Sequence, residues 1–145
     1  MENPKSLPIR VLVVEDNPND QELLHRQLRK TPLGEHVLFF TDPRKALTLL
    51  RAPESAPLRQ GLVALFLDIN LPHMSGIELL RRVRQIEGLD NLPVIVMTTD
   101  PRPETLTACK ELRVSYIADK PVTLTQFSKV IADLFHKSQA VPISA

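Results

Sequence analysis

Five short apolar runs, separated by stretches of helical periodicity, constrain this chain more than any other feature of its sequence. The runs occupy residues 9–14, 37–40, 62–67, 94–97 and 115–118. Several are apolar at consecutive positions, the pattern of strands covered on both faces of a parallel sheet. Between them, apolar residues recur at helical spacing. Ile77, Leu80 and Val83 form one such row, with Arg81, Arg82 and Arg84 read as a solvated face. Leu124, Phe127, Ile131 and Leu134 form another. Strict alternation of five strands with five helices predicts a doubly wound α/β domain, a (βα)5 chain. Right-handed crossovers then lay helices on both faces of the sheet.

Capping chemistry marks the boundaries. The chain holds 13 prolines in 145 residues, well above the usual ~5%, scattered at strand ends and helix starts rather than clustered as in a disordered linker. Asn17-Pro18 and Asp42-Pro43 each place a side-chain acceptor at the cap and proline at the first helical position, where a missing N–H costs nothing. Asp100-Pro101 is a further candidate cap. Ser75 with Glu78 and Thr123 with Gln126 fit the capping-box pattern. Residues 51–61, with Pro53 and Pro57, read as a surface loop. The expectation is one domain over 9–136, with tails at 1–8 and 137–145.

Composition removes several function classes. Lys plus Arg is 18 and Asp plus Glu 17, a formal charge of +1, so the basic excess needed for bulk binding to nucleic acid or anionic membrane is missing. No 18-residue apolar run spans a bilayer, and the first residues lack a signal-peptide core, which points to the cytoplasm. Aromatics at 4% with no Trp make a base-stacking platform a poor reading. Cys109, the single cysteine, excludes an intrachain disulfide and a multi-cysteine zinc site, and it reads as packing. The four histidines are scattered among different elements and indicate neither a zinc site nor a catalytic base.

In such a sheet, ligands gather at the carboxyl ends of the strands, at the topological switch point. The first run ends in Glu15 and Asp16, the third in Asp68, the fourth in Thr98, and the fifth near Lys120. Three carboxylates about 5 Å apart repel by about 3 kcal/mol per pair at an effective dielectric near 20. A cation must offset that, or one carboxyl stays protonated. An oxygen-rich rim suits Mg2+, which favours one or two carboxylates, several waters and phosphate oxygens. Asp68, ending the most buried-looking strand, is the best candidate to attack phosphorus and form an aspartyl phosphate. The metal and Lys120 would then offset charge on the transferring oxygens, with Thr98 donating to one of them.

The acidic pair after strand one, Asp68 with Pro72 and Gly76 behind it, Thr98 after strand four and Lys120-Pro121 after strand five all fall in order. Together they resemble the CheY-like response-regulator receiver domain of two-component signalling, over about residues 9–135. The resemblance implies a flavodoxin-like sheet of strand order 2-1-3-4-5. It implies that Asp68 accepts phosphate from a sensor histidine kinase. Asp16 and Asp68 would ligate Mg2+ directly with the backbone carbonyl of Asn70, while Glu15 acts through water. Lys120 would pair with the phosphoryl oxygens, Thr98 and Tyr116 would form the switch, and Asn70 and Asp100 would tune autodephosphorylation. Such a domain catalyses only its own phosphorylation and dephosphorylation. Its output surface is the fourth helix, fifth strand and fifth helix, which would meet a second copy, a downstream target or a phosphotransfer protein. The chain ends without an output domain, so the effect is expected to pass by protein contact. The phrase from Glu111 to Tyr116 and the long segment before strand three are similar to single-domain regulators that pair with phytochrome-type kinases.

Other readings compete. A haloacid-dehalogenase-type phosphohydrolase also uses an Asp nucleophile with Mg2+, but it needs an Asp two residues on, where this chain has Asn70. A Toprim-type nucleotidyl-transfer domain needs Asp-x-Asp and meets the same obstacle. A receiver fold serving as a phosphorylation-independent scaffold would lack part of the acidic cluster or the lysine.

Overall fold

The apolar runs pair into one sheet. The computed structural model describes residues 8–99, 101–120, 122–123, 128 and 132. Asp100, Pro121, Gln126, most of the last helical run and the end segments 1–7 and 133–145 lie outside the described residues. The strands are β1 (Val11–Val14), β2 (Val37–Phe40), β3 (Ala64–Asp68), β4 (Val94–Thr98) and β5 (Tyr116–Asp119). All pair in parallel, in the order β2-β1-β3-β4-β5. The three inner strands are buried at every residue, while edge strand β2 is half-buried throughout. That is why the inner runs lack apolar–polar alternation.

Strand residues alternate between two cores. One face gathers Leu12, Val14, Leu65, Leu67, Val94 and Val96. Against it pack Ala46, Leu47 and Leu50 of α2 (Pro43–Arg51), Leu79, Leu80 and Val83 of α4 (Gly76–Arg84), and Cys109 of α5 (Pro103–Glu111). The other face gathers Val11, Val13, Ala64, Phe66, Ile95 and Met97 against Leu24 and Leu28 of α1 (Pro18–Leu28). Each fully buried Leu, Ile or Phe contributes about 1.5–3 kcal/mol of transfer free energy. The two cores thereby fix strand register and hold the strand ends in place.

Helix starts follow the capping signals with two exceptions. The Asn17 side chain accepts from the N–H groups of Asn19 and Asp20, Asp42 from Arg44, and Ser75 from Glu78. Only half of the box at Ser75 forms, because the Glu78 carboxylate turns to Arg82 Nε at 2.9 Å. The cap expected at Asp100-Pro101 is displaced. Helix α5 begins at Pro103, with Arg102 at the cap position and no side-chain cap bond. The segment expected to be a loop at 51–61 is instead a 3-10 turn, Pro53–Ser55, followed by a short helix α3 (Ala56–Gly61). Both prolines sit in first turns, where they start helices rather than break them.

Arg84 departs furthest from its expected role on a solvated face. Its guanidinium donates to the carbonyls of Leu112 (2.9 Å), Leu89 (3.1 Å), Leu92 (2.7 Å) and Arg113 (3.2 Å). It thus ties the end of α4 to the loops before β4 and β5. Burial among carbonyls lowers its pKa from the usual arginine value. Arg113 closes α5 in the left-handed region at φ 60°, a conformation that costs a non-glycine residue of order 1 kcal/mol. Its own guanidinium donates to the Asp90 carbonyl at 2.7 Å, which helps hold it there. Replacing Arg84 by Met keeps the stem and strands the carbonyls, so stability should fall by about 1–3 kcal/mol. Urea unfolding measures this; an unchanged midpoint would mean the carbonyls find water at no cost.

Candidate functional site

Strand order places the switch point between β1 and β3, whose carboxyl ends deliver the acidic residues. Beyond β1, Glu15 keeps its backbone on the sheet through an N–H bond to Phe40 O (2.9 Å). Its side chain is 1% exposed, and Oε2 accepts from the Asn17 N–H at 3.1 Å. Asp68 closes β3, and its Oδ1 accepts from the Asn70 N–H at 3.1 Å. Directly behind, the start of α4 presses on the strand end. A Cβ on Gly76 would lie 2.2 Å from the Asp68 carbonyl oxygen, so this close approach admits only glycine.

Lys120 follows β5, with its N–H on Thr98 O at 3.0 Å. Its ammonium reaches across the sheet ends to Glu15 Oε1 (2.6 Å), Asp68 Oδ2 (3.0 Å) and Asp20 Oδ2 (3.1 Å). Glu15, Asp16 and Asp68 each offer an oxygen, and these atoms lie within 4.8 Å of one another. At that spacing each charged pair repels by about 3 kcal/mol, more than one ammonium can neutralise among three carboxylates.

The strain shows in protonation. Burial pushes the Glu15 carboxyl up from 4.5 to about 7, against the lowering influence of Lys120 and the Asn17 N–H, with the Asp68 charge adding to the rise. Oε1 of Glu15 is buried and has the ion-pair attraction of Lys120 without an aligned hydrogen bond. For Lys120, burial opposes the charged form. Contacts with Glu15, Asp68 and Asp20 outweigh it and raise the pKa above the ordinary lysine value. An all-oxygen donor set and an excess of negative charge over the one ammonium fit a hard divalent cation.

Of the residues singled out from sequence, Glu15, Asp16, Asp68, Asn70 and Lys120 come together at one rim. Thr98 ends β4 there, 1% exposed. Asp100 lies outside the described residues. Tyr116 does not join Thr98. It pairs with Ile95, three rows from the Thr98–Asp119 row, about 10 Å along the strand. It packs with the α1-side core, whereas Thr98 shares the parity of Val94 and Val96 on the opposite face. The apolar β5 residue on Thr98's face is Ile117, the partner of Val96, while Asp119 on that face pairs with Thr98 itself. Strand alternation explains the correction, since a one-residue offset reverses the face. The residue missed altogether is Asp20. Its only signal in the sequence is an acid in the first helical turn, three residues after the Asn17 cap.

The chain matches the response regulator receiver domain model over residues 11–132. It belongs to that family. Among curated relatives, this receiver is 28% identical over 134 residues to response regulator Rcp1 of Synechocystis, covering 90% of this chain and 89% of Rcp1. It is 29% identical over 128 residues to the sensory/regulatory protein RpfC of Xanthomonas campestris, covering 87% of this chain but 16% of RpfC. The bacteriophytochrome response regulator AtBRR superposes at a TM-score of 0.70 with 33% identity, over 89% of this chain and 94% of that one. A Mn2+-bound structure of Rcp1 superposes at 0.67 with 26% identity, over 86% and 89%. The receiver is therefore a response-regulator component of two-component signalling, and its fold is that of the CheY-like group. No described helix is long and apolar enough to cross a membrane.

Glu15 gives a pH signature in the metal-free receiver. Folded, it takes up its proton near pH 7; unfolded, near its ordinary 4.5. The folded state binds more protons between those values, so this group makes stability fall as pH rises through the window. Glu15→Gln removes that component. Urea midpoints of both proteins at about pH 5 and about pH 7.5 should show the variant gaining on the wild type as pH rises. A pH-independent difference would contradict the raised pKa.

Proposed function

We propose that this receiver accepts a phosphoryl group on Asp68 from the phosphohistidine of a sensor kinase, in a domain extending over residues 9–136. The observation that carries the reading is the meeting of Glu15, Asp16 and Asp68 oxygens within 4.8 Å, with Lys120 Nζ 3.0 Å from Asp68. In the transfer, an Asp68 oxygen bonds to phosphorus while the phosphorus–nitrogen bond of the donor breaks, and the imidazole nitrogen keeps that electron pair. Asp16, Asp68 and the Asn70 carbonyl would hold Mg2+, with Glu15 acting through water. When bound, the metal supplies positive charge that neutralises the phosphoryl oxygens. The Asn70 N–H fixes one Asp68 oxygen, and Lys120 offers its ammonium to the incoming group. Asn70 and Asp100 set the lifetime of the product.

Phosphorylation gives Thr98 and Lys120 a partner they have only in that state, which is what shifts a conformational equilibrium. Thr98 sits over the face that carries Ile117 and Cys109 of α5. Its movement therefore reads out on α5 and β5, where a second copy, a downstream target or a phosphotransfer protein would bind. The likeness to the bacteriophytochrome response regulator AtBRR supports a phytochrome-type kinase as donor. Asn70, where a phosphohydrolase of the haloacid-dehalogenase type needs its second acid, speaks against hydrolysis of other substrates.

Incubation with phosphoramidate and Mg2+ should add one phosphate mass, stable in acid and labile in base. Asp68→Asn and a chelator should each abolish it. Unmodified wild-type protein under these conditions would leave only the scaffold reading, and modification surviving in Asp68→Asn would move the acceptor elsewhere.

A further inference from the structure

Lys120 is held by one carboxylate more than the phosphoryl chemistry requires. Among the described residues, its ammonium is held by Glu15, Asp68 and Asp20. Glu15 and Asp68 belong to the cluster whose oxygens converge as for a metal; Asp20 does not. The two groups compete for the same atoms. A cation drawn to Glu15 and Asp68 takes the negative charge that anchors Lys120, and at short range it repels the ammonium as well. Transfer to Asp68 weakens that anchor a second time, because the carboxylate becomes an acyl phosphate and its own oxygens no longer carry the full charge.

Asp20 is placed to survive both events. It sits in the first turn of α1, whose start is fixed by the Asn17 side chain accepting from the Asp20 N–H itself at 3.1 Å. Its Oδ2 lies 3.1 Å from Lys120 Nζ, and its side chain is 35% exposed against 11% for Lys120. It is therefore the more solvent-exposed of the two partners, and it lies outside the set of converging carboxylates. A small, mostly apolar cleft beside the contact is lined by Leu23, Leu24, Met97 and Val122 together with Glu15, Asp20 and Lys120, so the acids hold the ammonium at the edge of an apolar wall.

We propose that Asp20 is a positioning residue that keeps the Lys120 ammonium at the rim once the metal occupies Glu15, Asp16 and Asp68, so that it is in place for the incoming phosphoryl oxygens. The inference rests on the phosphoacceptor reading of Asp68. The entropy of localising a long flexible lysine is then met by the folded chain before the donor arrives.

The tests use the full chain, with phosphoramidate as the donor. In the reaction, an Asp68 oxygen bonds to phosphorus as the phosphorus–nitrogen bond breaks, and ammonia leaves from the N-protonated donor with the bond's electron pair. Asp20→Ala should slow phosphorylation by about tenfold at saturating donor, with Asp20→Asn intermediate because its amide oxygen still accepts from the ammonium. Glu22→Gln, which removes a charge from the exposed face of α1, should leave the rate unchanged. Mn2+ affinity, measured by electron paramagnetic resonance, should stay within about twofold in the Asp20 variants, since Asp20 lies outside the converging set. Independently of activity, the Lys120 ammonium resonance should remain visible by NMR in Mg2+-loaded wild type and disappear by exchange with water in Asp20→Ala. A rate equal to or above wild type, a parallel loss of metal affinity, or an ammonium signal that persists in Asp20→Ala would each overturn the proposal. Failure of the wild type to accept phosphate would instead overturn the reading of Asp68.

Discussion

The fold concentrates negative charge where it can least be solvated. Two parallel strands on either side of the switch point end in acids, and the sheet's own packing prevents those ends from moving apart. Glu15 and Asp68 are almost fully buried, so relief must come from a proton, an ammonium or a metal. The raised Glu15 pKa, the charged Lys120 and the oxygen-only donor set are three expressions of that one electrostatic problem. A resting protein under this tension is sensitive to any added ligand that changes the charge count at the rim.

Most of the fold was legible because period and punctuation agreed. Consecutive apolar residues marked the inner strands, and the caps at Asn17, Asp42 and Ser75 marked helix starts that the structure retains. Where the reading failed, a local signal had two meanings. Pro53 and Pro57 suggested a loop but open short helical turns. Arg84 carried the same charge as its neighbours, yet its guanidinium lands on four carbonyls, two in the loop that follows α4 and two about 28 residues on, after α5. No sequence-local pattern encodes that contact.

The site was legible to a similar depth. Acids at the ends of β1 and β3 and the lysine after β5 could be placed because strand ends in a parallel sheet converge by topology. Asp20 could not be ranked, since an acid in a first helical turn is stabilised by the helix dipole whether or not it touches anything else. Tyr116 was misassigned by counting along the chain to Lys120 without counting faces. Pairing with Ile95 rather than Val96 puts it in the other core.

That reversal has a practical side. The chain has one tyrosine and no tryptophan, so its intrinsic ultraviolet emission comes from a single ring lodged on the α1 side of the sheet. Light emitted by this molecule reports on the layer beneath helix α1, and a rearrangement confined to the layer under α4 and α5 could pass through it unseen.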